Sequence, residues 1–331
     1  MMKSSVWSYR FHKYKRLLAA LVWATITTIP LFVRHLTGKK IVAIVLAEQF
    51  GDIMAAEPLG RGIRQEHPNA FLIWVVRRPF AQLTETYSFL DQSLVLDNTL
   101  QRLFLLKTLF FAKVYNLHLS DQHHPDLFQR HLNPAAEAQK LNVFNYLKAG
   151  NLLTVFSKIV GIRPVDDFPK LQIPPQIKAE IDALHLPKIY IVVHCHSNYA
   201  PKDWQNQHWE RLIMALIKRD YHVLEIGLNS SLNIQHTHYQ NLCGQLSLLA
   251  SAEVISRAAF FVGIDSGPAH FANALNVFGF ILLGKLNDFE QYNVYSGNYT
   301  STERACLIQN QNGTCAALSY EQVWKAIEKV V

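Results

Sequence analysis

Short apolar segments alternate with helical stretches from Lys40 onward, and this alternation constrains the fold more than any other feature of the sequence. It is the pattern of parallel sheets wrapped by helices. A first series predicts strands at residues 41–47, 70–76, 94–96 and 113–117, with a helix at about 53–67. A second series predicts strands at residues 189–194, 222–227, 260–264 and 278–283, with a helix at about 207–219.

Five prolines between residues 163 and 187 separate the two series and indicate a linker that contains one short helix. We therefore predict an α/β protein with two Rossmann-like, doubly wound parallel-sheet domains that face each other across a cleft. The predicted division is an N-terminal extension (1–39), a first domain (40–165), a linker (166–187) and a second domain with a closing C-terminal helix (188–331).

The segment at residues 260–275, FFVGIDSGPAHFANAL, predicts a buried strand, a tight turn and a helix start. Asp265 and Ser266 are good helix N-caps, Gly267 permits a sharp turn, and Pro268 suits the first helical position. Backbone N–H groups at such a helix start can hold a diphosphate without a metal. The alternative is an ordinary strand-to-helix turn without a ligand.

A second turn follows the first predicted strand, where Gly51 allows a close backbone approach and Asp52 lies at the mouth of the predicted cleft. A carboxylate in that position can accept a proton from an incoming hydroxyl. Equally, Asp52 could merely cap the helix. The turn contains one glycine of the dinucleotide fingerprint, so the sequence gives poor support for NAD binding.

Polar residues also follow the first strand of the second series. Ser197 and Asn198 offer hydrogen-bond donors there, and Lys202 could neutralise phosphate oxygens as a leaving group departs. The neighbouring residues 194–196 read His-Cys-His, but adjacent strand residues point to opposite faces, so this trio is a poor metal site.

Composition excludes several classes of protein. Half of the 331 residues are hydrophobic and 17% are charged, which rules against intrinsic disorder. The formal net charge of +7 favours an anionic partner, but no nucleic-acid-binding signature accompanies it. Four scattered cysteines without a C-x-x-C pair indicate free thiols in a reducing compartment, which is consistent with the cytosol.

Residues 17–33, LLAALVWATITTIPLFV, follow a basic and aromatic lead and form the one segment that could touch a membrane. Three interpretations stay open: a helix that lies in the membrane interface or packs in a groove, a single membrane anchor, and a cleaved signal. The last lacks a small-residue cleavage site before Arg34. We predict a cytoplasmic protein that is peripheral on, or anchored to, the inner face of the plasma membrane.

Together these pieces resemble glycosyltransferase family 9, the heptosyltransferase-like enzymes of lipopolysaccharide assembly. The resemblance extends over nearly all of residues 40–331 and rests on four motifs. These are Gly51-Asp52 with Pro58, P-K-x-W-x-x-x-H-W-E at 201–210, N-L-x-G then S-L at 241–248, and D-S-G-P-x-H at 265–270.

The resemblance implies a GT-B fold and an inverting transfer from a nucleotide-sugar donor, held mainly by the second domain, to an acceptor held mainly by the first. Asp52, beside Gly51 in the acceptor-side loop, matches the general base, and Lys202 matches the cation at the donor phosphates. Ser266 and Gly267 match the diphosphate-binding turn. The remaining matched donor-side positions are Asp265 and His270, which orient the turn or the sugar, Leu246, which reads the base, and Gly227, at a strand end.

The same resemblance implies ADP-heptose as the donor and a lipid-linked acceptor, such as lipopolysaccharide core or a related surface glycan, at an anionic membrane surface. No metal is expected, because the chain has no D-x-D triplet. After Gly227 the chain has Leu228, Asn229 and Ser230, where heptosyltransferases often place an acidic residue on the ribose. The alternatives are a GT-B nucleotide-sugar epimerase or hydrolase and a non-catalytic sugar-nucleotide-binding relative.

Overall fold

A computed structural model describes residues 2–47, 49–107, 110–124, 129–286, 289 and 292–331. The chain packs into two compact units. The first contains residues 1–48, 60–143 and 158–162, and the second contains residues 49–59, 144–157 and 163–331. The second unit is therefore discontinuous in sequence, and it includes the segment Gln49–Leu59 that carries Asp52.

The described strands are β1 (Ile41–Val45), β2 (Phe71–Arg77), β3 (Gln92–Leu96), β4 (Phe111–Asn116), β5 (Gln122–His124), β6 (Gln129–His131), β7 (Tyr190–His194), β8 (His222–Glu225), β9 (Tyr239–Asn241), β10 (Phe260–Ile264), β11 (Gly279–Leu283) and β12 (Ala305–Gln309). The predicted strands are all present, within a few residues of their predicted ends. Sequence patterning missed β9, β12 and the antiparallel pair β5 and β6.

The described α-helices are α1 (Met2–Leu36), α2 (Phe50–Ala55), α3 (Glu57–Glu66), α4 (Ala81–Glu85), α5 (Thr99–Leu106), α6 (Pro134–Ala138), α7 (Leu152–Val160), α8 (Pro175–Asp182), α9 (Asn206–Ile217), α10 (Leu248–Ser256), α11 (Gly267–Ala274) and α12 (Tyr320–Ile327). The helix predicted at residues 53–67 is two helices, α2 and α3, which meet at Ala56. The short helix predicted inside the proline-rich linker is α8.

The first unit contains a parallel sheet in the order β3-β2-β1-β4. All five residues of β1 are buried, as expected for a central strand covered on both faces. Helix α1 packs on this unit through Leu31, which joins Ile41, Ala43 and Val45 in one core cluster. Residues 14–36 of α1 are long and apolar enough to cross a membrane, on length and composition alone.

The second unit contains a parallel sheet in the order β12-β11-β10-β7-β8-β9. Strands β8 and β9 extend it on one side of β7, and β10 to β12 extend it on the other, so the direction of winding reverses between β7 and β10. Ligands of doubly wound proteins bind outside the carboxyl ends of the strands at such a switch point. In this unit those ends are His194 and Ile264.

Candidate functional site

The turn after β10 begins helix α11, as the sequence predicts. Ser266 is the N-cap residue in extended conformation, but its side chain makes no capping hydrogen bond. Instead, its Oγ lies 2.9 Å from Nδ1 of His194 at the end of β7. Burial lowers the pKa of His194 to about 4, and nearby His196 lowers it further, so the imidazole is neutral. A helix start that its own N-cap side chain does not cover can offer its N–H groups to an anion.

Asp265 does not cap α11 but is the centre of a buried hydrogen-bond network. The Lys202 ammonium lies 2.6 Å from Oδ2 of Asp265, Tyr295 donates to Oδ1 at 2.8 Å, and Tyr292 also donates to Oδ2. Burial alone would raise the pKa of Asp265, but Lys202, His270 and the donated hydrogen bonds outweigh burial and hold it at about 2. The carboxylate is therefore ionised, and it fixes the position of the Lys202 ammonium.

Two glycines bring helix α2 against the start of α11. A Cβ on Gly51 would lie 2.8 Å from Cδ2 of His270, and a Cβ on Gly267 would lie 1.9 Å from Cζ of Phe50. The Phe50 ring packs on Phe271 with 4.9 Å between centroids. Any larger residue at either glycine would force the helices apart, so both positions require glycine for close approach.

Asp52 lies in the first turn of α2, where Gln49 is the N-cap, so the capping interpretation of Asp52 does not hold. Burial raises the pKa of Asp52 to about 7, with a further increase from Asp265 and an opposing decrease from Lys202. The side chain keeps some exposure to solvent. A carboxyl group with a pKa near neutrality can both accept and release a proton at cellular pH.

His270 lies on α11 against Gly51, the residue before Asp52, and it is 5% exposed. Burial lowers its pKa to about 4, Lys202 lowers it further and Asp265 raises it, so the ring is neutral. Its ring centroid lies 4.8 Å from that of Tyr295. The structure thus brings the predicted residues Asp52, Lys202, Asp265 and His270 together within the second unit.

The loop after β7 is ordered by its own polar groups. Both N–H and Oγ of Ser197 donate to Oδ1 of Asp203 at 2.8 Å, whereas the side chain of Asn198 is exposed. His196 Nε2 lies 2.9 Å from Oγ of Ser231, away from the contact between His194 and Ser266. Cys195 is buried, and burial raises the pKa of its thiol. The His-Cys-His trio therefore does not converge.

The loops after β8 and β9 meet at the two remaining predicted donor-side positions. Gly227 has φ 152°, a conformation that disfavours any side chain, and its carbonyl accepts a 2.9 Å hydrogen bond from the N–H of Gly244. Leu246 follows, half-buried, in the turn before α10. Leu228 is 85% exposed beside this pair of loops.

Sequence reasoning missed three tyrosines around the carboxylates. Tyr292 and Tyr295 hold Asp265, and burial together with Asp52 and Asp265 raises the pKa of Tyr146. Tyr292 also lines a shallow pocket above Lys202 with Tyr199, Pro201, Lys285 and Leu286. No spacing rule links these tyrosines to residues far away in the sequence, so the sequence carried no signal for them.

Two parallel-sheet α/β units form the GT-B fold, and the second unit has an uncapped helix start beside a lysine that Asp265 holds in position. Residues 144–283 match the model of glycosyltransferase family 9 (heptosyltransferase). The resemblance to this family is confirmed over a segment that contains three of the four motifs, whereas Gly51, Asp52 and Pro58 lie outside it.

Solved structures agree on the fold. The chain is 16% identical to E. coli ADP-heptose lps heptosyltransferase II. The match covers 87% of this chain and 98% of that chain, with a TM-score of 0.62. E. coli heptosyltransferase WaaC with ADP-2-deoxy-2-fluoro heptose gives 17% identity, coverage of 88% and 99%, and a TM-score of 0.56. The iron-containing dodecameric glycosyltransferase TibC from enterotoxigenic E. coli H10407 is 16% identical. That match covers 88% of this chain and 78% of TibC, with a TM-score of 0.56. No curated protein matches the sequence.

The described residues contain no group of three or more His, Cys, Asp or Glu side chains that could hold a metal ion. Transfer without a metal stays a prediction.

Proposed function

We propose that the protein is an inverting, metal-independent glycosyltransferase that moves heptose from ADP-heptose to lipopolysaccharide core or a related surface glycan. One observation carries the proposal: Asp52, with a pKa raised to about 7, lies on a helix packed against the start of α11, next to the fixed Lys202. Such a transfer needs a general base for the acceptor hydroxyl and a site that binds and stabilises the diphosphate.

The donor side consists of the α11 start and Lys202. The N–H groups after Ser266 carry the positive end of the helix dipole, and the Lys202 ammonium adds a full charge. Both favour a diphosphate, and they favour it more as negative charge builds on the departing nucleotide. The two heptosyltransferases named above, one an ADP-heptose enzyme and the other bound to ADP-2-deoxy-2-fluoro heptose, support an adenine nucleotide and heptose as the donor.

In the proposed reaction the Asp52 carboxylate takes the proton of an acceptor hydroxyl. The acceptor oxygen forms a bond to the anomeric carbon as the bond from that carbon to the phosphate oxygen breaks. ADP leaves with the electron pair of that bond, stabilised by Lys202 and the helix start. Attack opposite to the leaving group inverts the anomeric configuration. Asp265 positions Lys202, and His270 packs against Gly51 at the contact between α2 and α11.

For the acceptor we propose a lipid-linked glycan at the cytoplasmic face of the membrane. The basic N-terminal segment suits an anionic membrane surface and would hold the enzyme near such an acceptor. This part of the proposal rests on charge and on the family resemblance.

The proposal is tested by a thermal-shift screen against ADP, UDP, GDP and their sugars, followed by transfer assays with the best donor. A ligand that binds only the folded protein stabilises it by mass action, so ADP and ADP-heptose should raise Tm more than the other nucleotides. Preference for UDP or GDP would overturn the donor. Hydrolysis or epimerisation of ADP-heptose without transfer would overturn the reaction class.

A further inference from the structure

The excess positive charge of the chain is confined to its first 40 residues. They contain eight of the 32 Lys and Arg and none of the 25 Asp and Glu, which leaves 24 basic and 25 acidic residues in the rest of the chain. The basic residues flank an uncharged run at positions 17–33 on both sides, with Lys15 and Arg16 before it and Arg34 after it. The N-terminal helix therefore differs electrostatically from the rest of the molecule.

One face of α1 is fixed to the first unit. Ala20, Ala24 and Leu31 recur at helical spacing and are at most 6% exposed. The C-terminal end is fixed as well, because the Arg34 guanidinium lies 4.3 Å from the centroid of the Phe71 ring in β2. A helix that spans a bilayer on its own is surrounded by lipid, so Leu31 would have to leave the core cluster of the first unit.

The opposite face of α1 is apolar and uncovered. Leu18, Ile26 and Leu36 are 62%, 63% and 68% exposed, and the same face includes Val22, Ile29 and Val33. Residues two apart on an α-helix differ by about 200°, so Ile26 points away from the side on which Ala24 is buried. This outward face, defined by residues 18, 22, 26, 29, 33 and 36, carries no charged side chain.

The threonines near this face do not oppose an apolar environment. The Thr25 hydroxyl donates to the carbonyl of Leu21 at 3.0 Å, and the Thr28 hydroxyl donates to the carbonyl of Thr25 at 3.1 Å. Their polar atoms are satisfied inside the helix and need no water.

We propose that the outward face of α1 lies in the plane of an anionic lipid bilayer, with the helix embedded along its length and not spanning it. The apolar side chains contact acyl chains, and the basic residues before the run, such as the exposed Lys15, contact anionic headgroups. A second copy of the chain is a poor occupant of this face, because the basic residues that flank it in each copy would come close to those of the other copy, with no acidic residue among the first 40 to offset them. The inference refines the membrane location in the proposed function, but it does not depend on the reaction.

The first test is co-flotation of the full-length protein with vesicles. We expect binding to phosphatidylcholine vesicles that contain phosphatidylglycerol, weaker binding to pure phosphatidylcholine, and further loss at high salt. The double variant Leu18→Glu/Ile29→Glu should bind at least about tenfold more weakly, because two carboxylates would enter the interface. Leu184→Glu/Ile189→Glu is the matched control, since these residues are also exposed (43% and 65%) and lie outside α1. Equal loss of vesicle binding in the two double variants would overturn the proposal.

The second test separates a helix that lies on the membrane from one that spans it. An epitope tag before Met1 should be digested by protease in inverted membrane vesicles, and alkaline carbonate should release the protein. Protection of the tag with resistance to carbonate would overturn the in-plane arrangement. A dimer in solution that the outward-face variants convert to monomer, without vesicle binding by the unmodified protein, would assign the face to self-association instead.

Both tests are independent of catalysis. Thermal stabilisation by ADP, measured on the same variants, should be unchanged, because residues 18 and 29 lie in the first unit and the predicted donor-side residues lie in the second. Vesicle binding without any response to nucleotide would refute the proposed function and leave the membrane inference standing. Stabilisation by nucleotide without vesicle binding would refute the membrane inference alone.

Discussion

Replacement of Asp52 by asparagine should abolish transfer and, at neutral pH, stabilise the fold. Asparagine has nearly the same shape but cannot take a proton from the acceptor, so kcat should fall by at least about a hundredfold. The stability gain follows from the pKa of Asp52, which burial raises from 3.8 to about 7. Between these values the folded protein keeps a proton that the unfolded chain has released, so the stability of the unmodified protein falls as pH rises through this range.

The gain in unfolding free energy follows from the shift in the pKa of Asp52. Each pKa unit corresponds to about 1.4 kcal/mol, so the interval from 3.8 to about 7 gives roughly 4 kcal/mol above pH 7 as an upper value. Because the side chain keeps some exposure to water, about 2 kcal/mol is expected. Below about pH 4 both states are protonated in the unmodified protein, and the advantage of the variant should vanish.

The assay is urea unfolding of both proteins at pH 4, 6 and 8, beside transfer rates at pH 8. Asp97→Asn is the control with the opposite sign, because the Arg78 hydrogen bond lowers the pKa of this exposed carboxyl and its removal should slightly destabilise the protein at neutral pH. A gain for Asp52→Asn that does not depend on pH, or a loss of stability at pH 8, would refute the raised pKa. Normal turnover by the variant would refute the base assignment.

Two further perturbations probe the same site. Lys202→Ala should weaken ADP binding at least about tenfold, which calorimetry would measure. It should also move the pH midpoint of transfer upward, because Lys202 lowers the pKa of Asp52. A pH–rate profile with an unchanged midpoint would contradict this. Tyr295→Phe removes a 2.8 Å hydrogen bond to ionised Asp265 and should cost about 1.5–3 kcal/mol of unfolding free energy. Tyr299→Phe, which loses a 2.9 Å bond to a neutral carbonyl, should cost only about 0.5–1.5 kcal/mol, and equal losses in urea unfolding would argue against a charged acceptor.

Local patterns in the sequence were sufficient for much of the fold and part of the site. Strand β10 was predicted with its observed ends, since an apolar run closed by Asp265-Ser266-Gly267 leaves little choice of boundary. Strand β9 is three residues long, none of them fully buried, and therefore gave no apolar signal. Strand β12 is only partly buried beyond its first residue, so its pattern was equally weak.

The parts that escaped prediction depend on contacts between distant residues. The sequence suggested that Gly51 permits a close approach, but it could not say that the approaching residue is His270. Likewise, the alanines at 20 and 24 looked like any others in an apolar run until packing distinguished the buried face from the outward face. Periodicity names the residues of a face, whereas only the tertiary structure says what covers it.

The discontinuity of the second unit has a consequence for how the protein is made. Gly51 and Gly267 pack helices α2 and α11 together, yet they are 216 residues apart in the sequence. At the usual speed of synthesis the segment that carries Asp52 waits on the order of tens of seconds for its partner. A helix of six residues does not persist alone, so Phe50 stays accessible to chaperones and proteases during that time. A fragment that begins at residue 144 would keep the segment that the family model matches but lack the helix that carries Asp52, so we expect any nucleotide binding that it retains to occur without transfer.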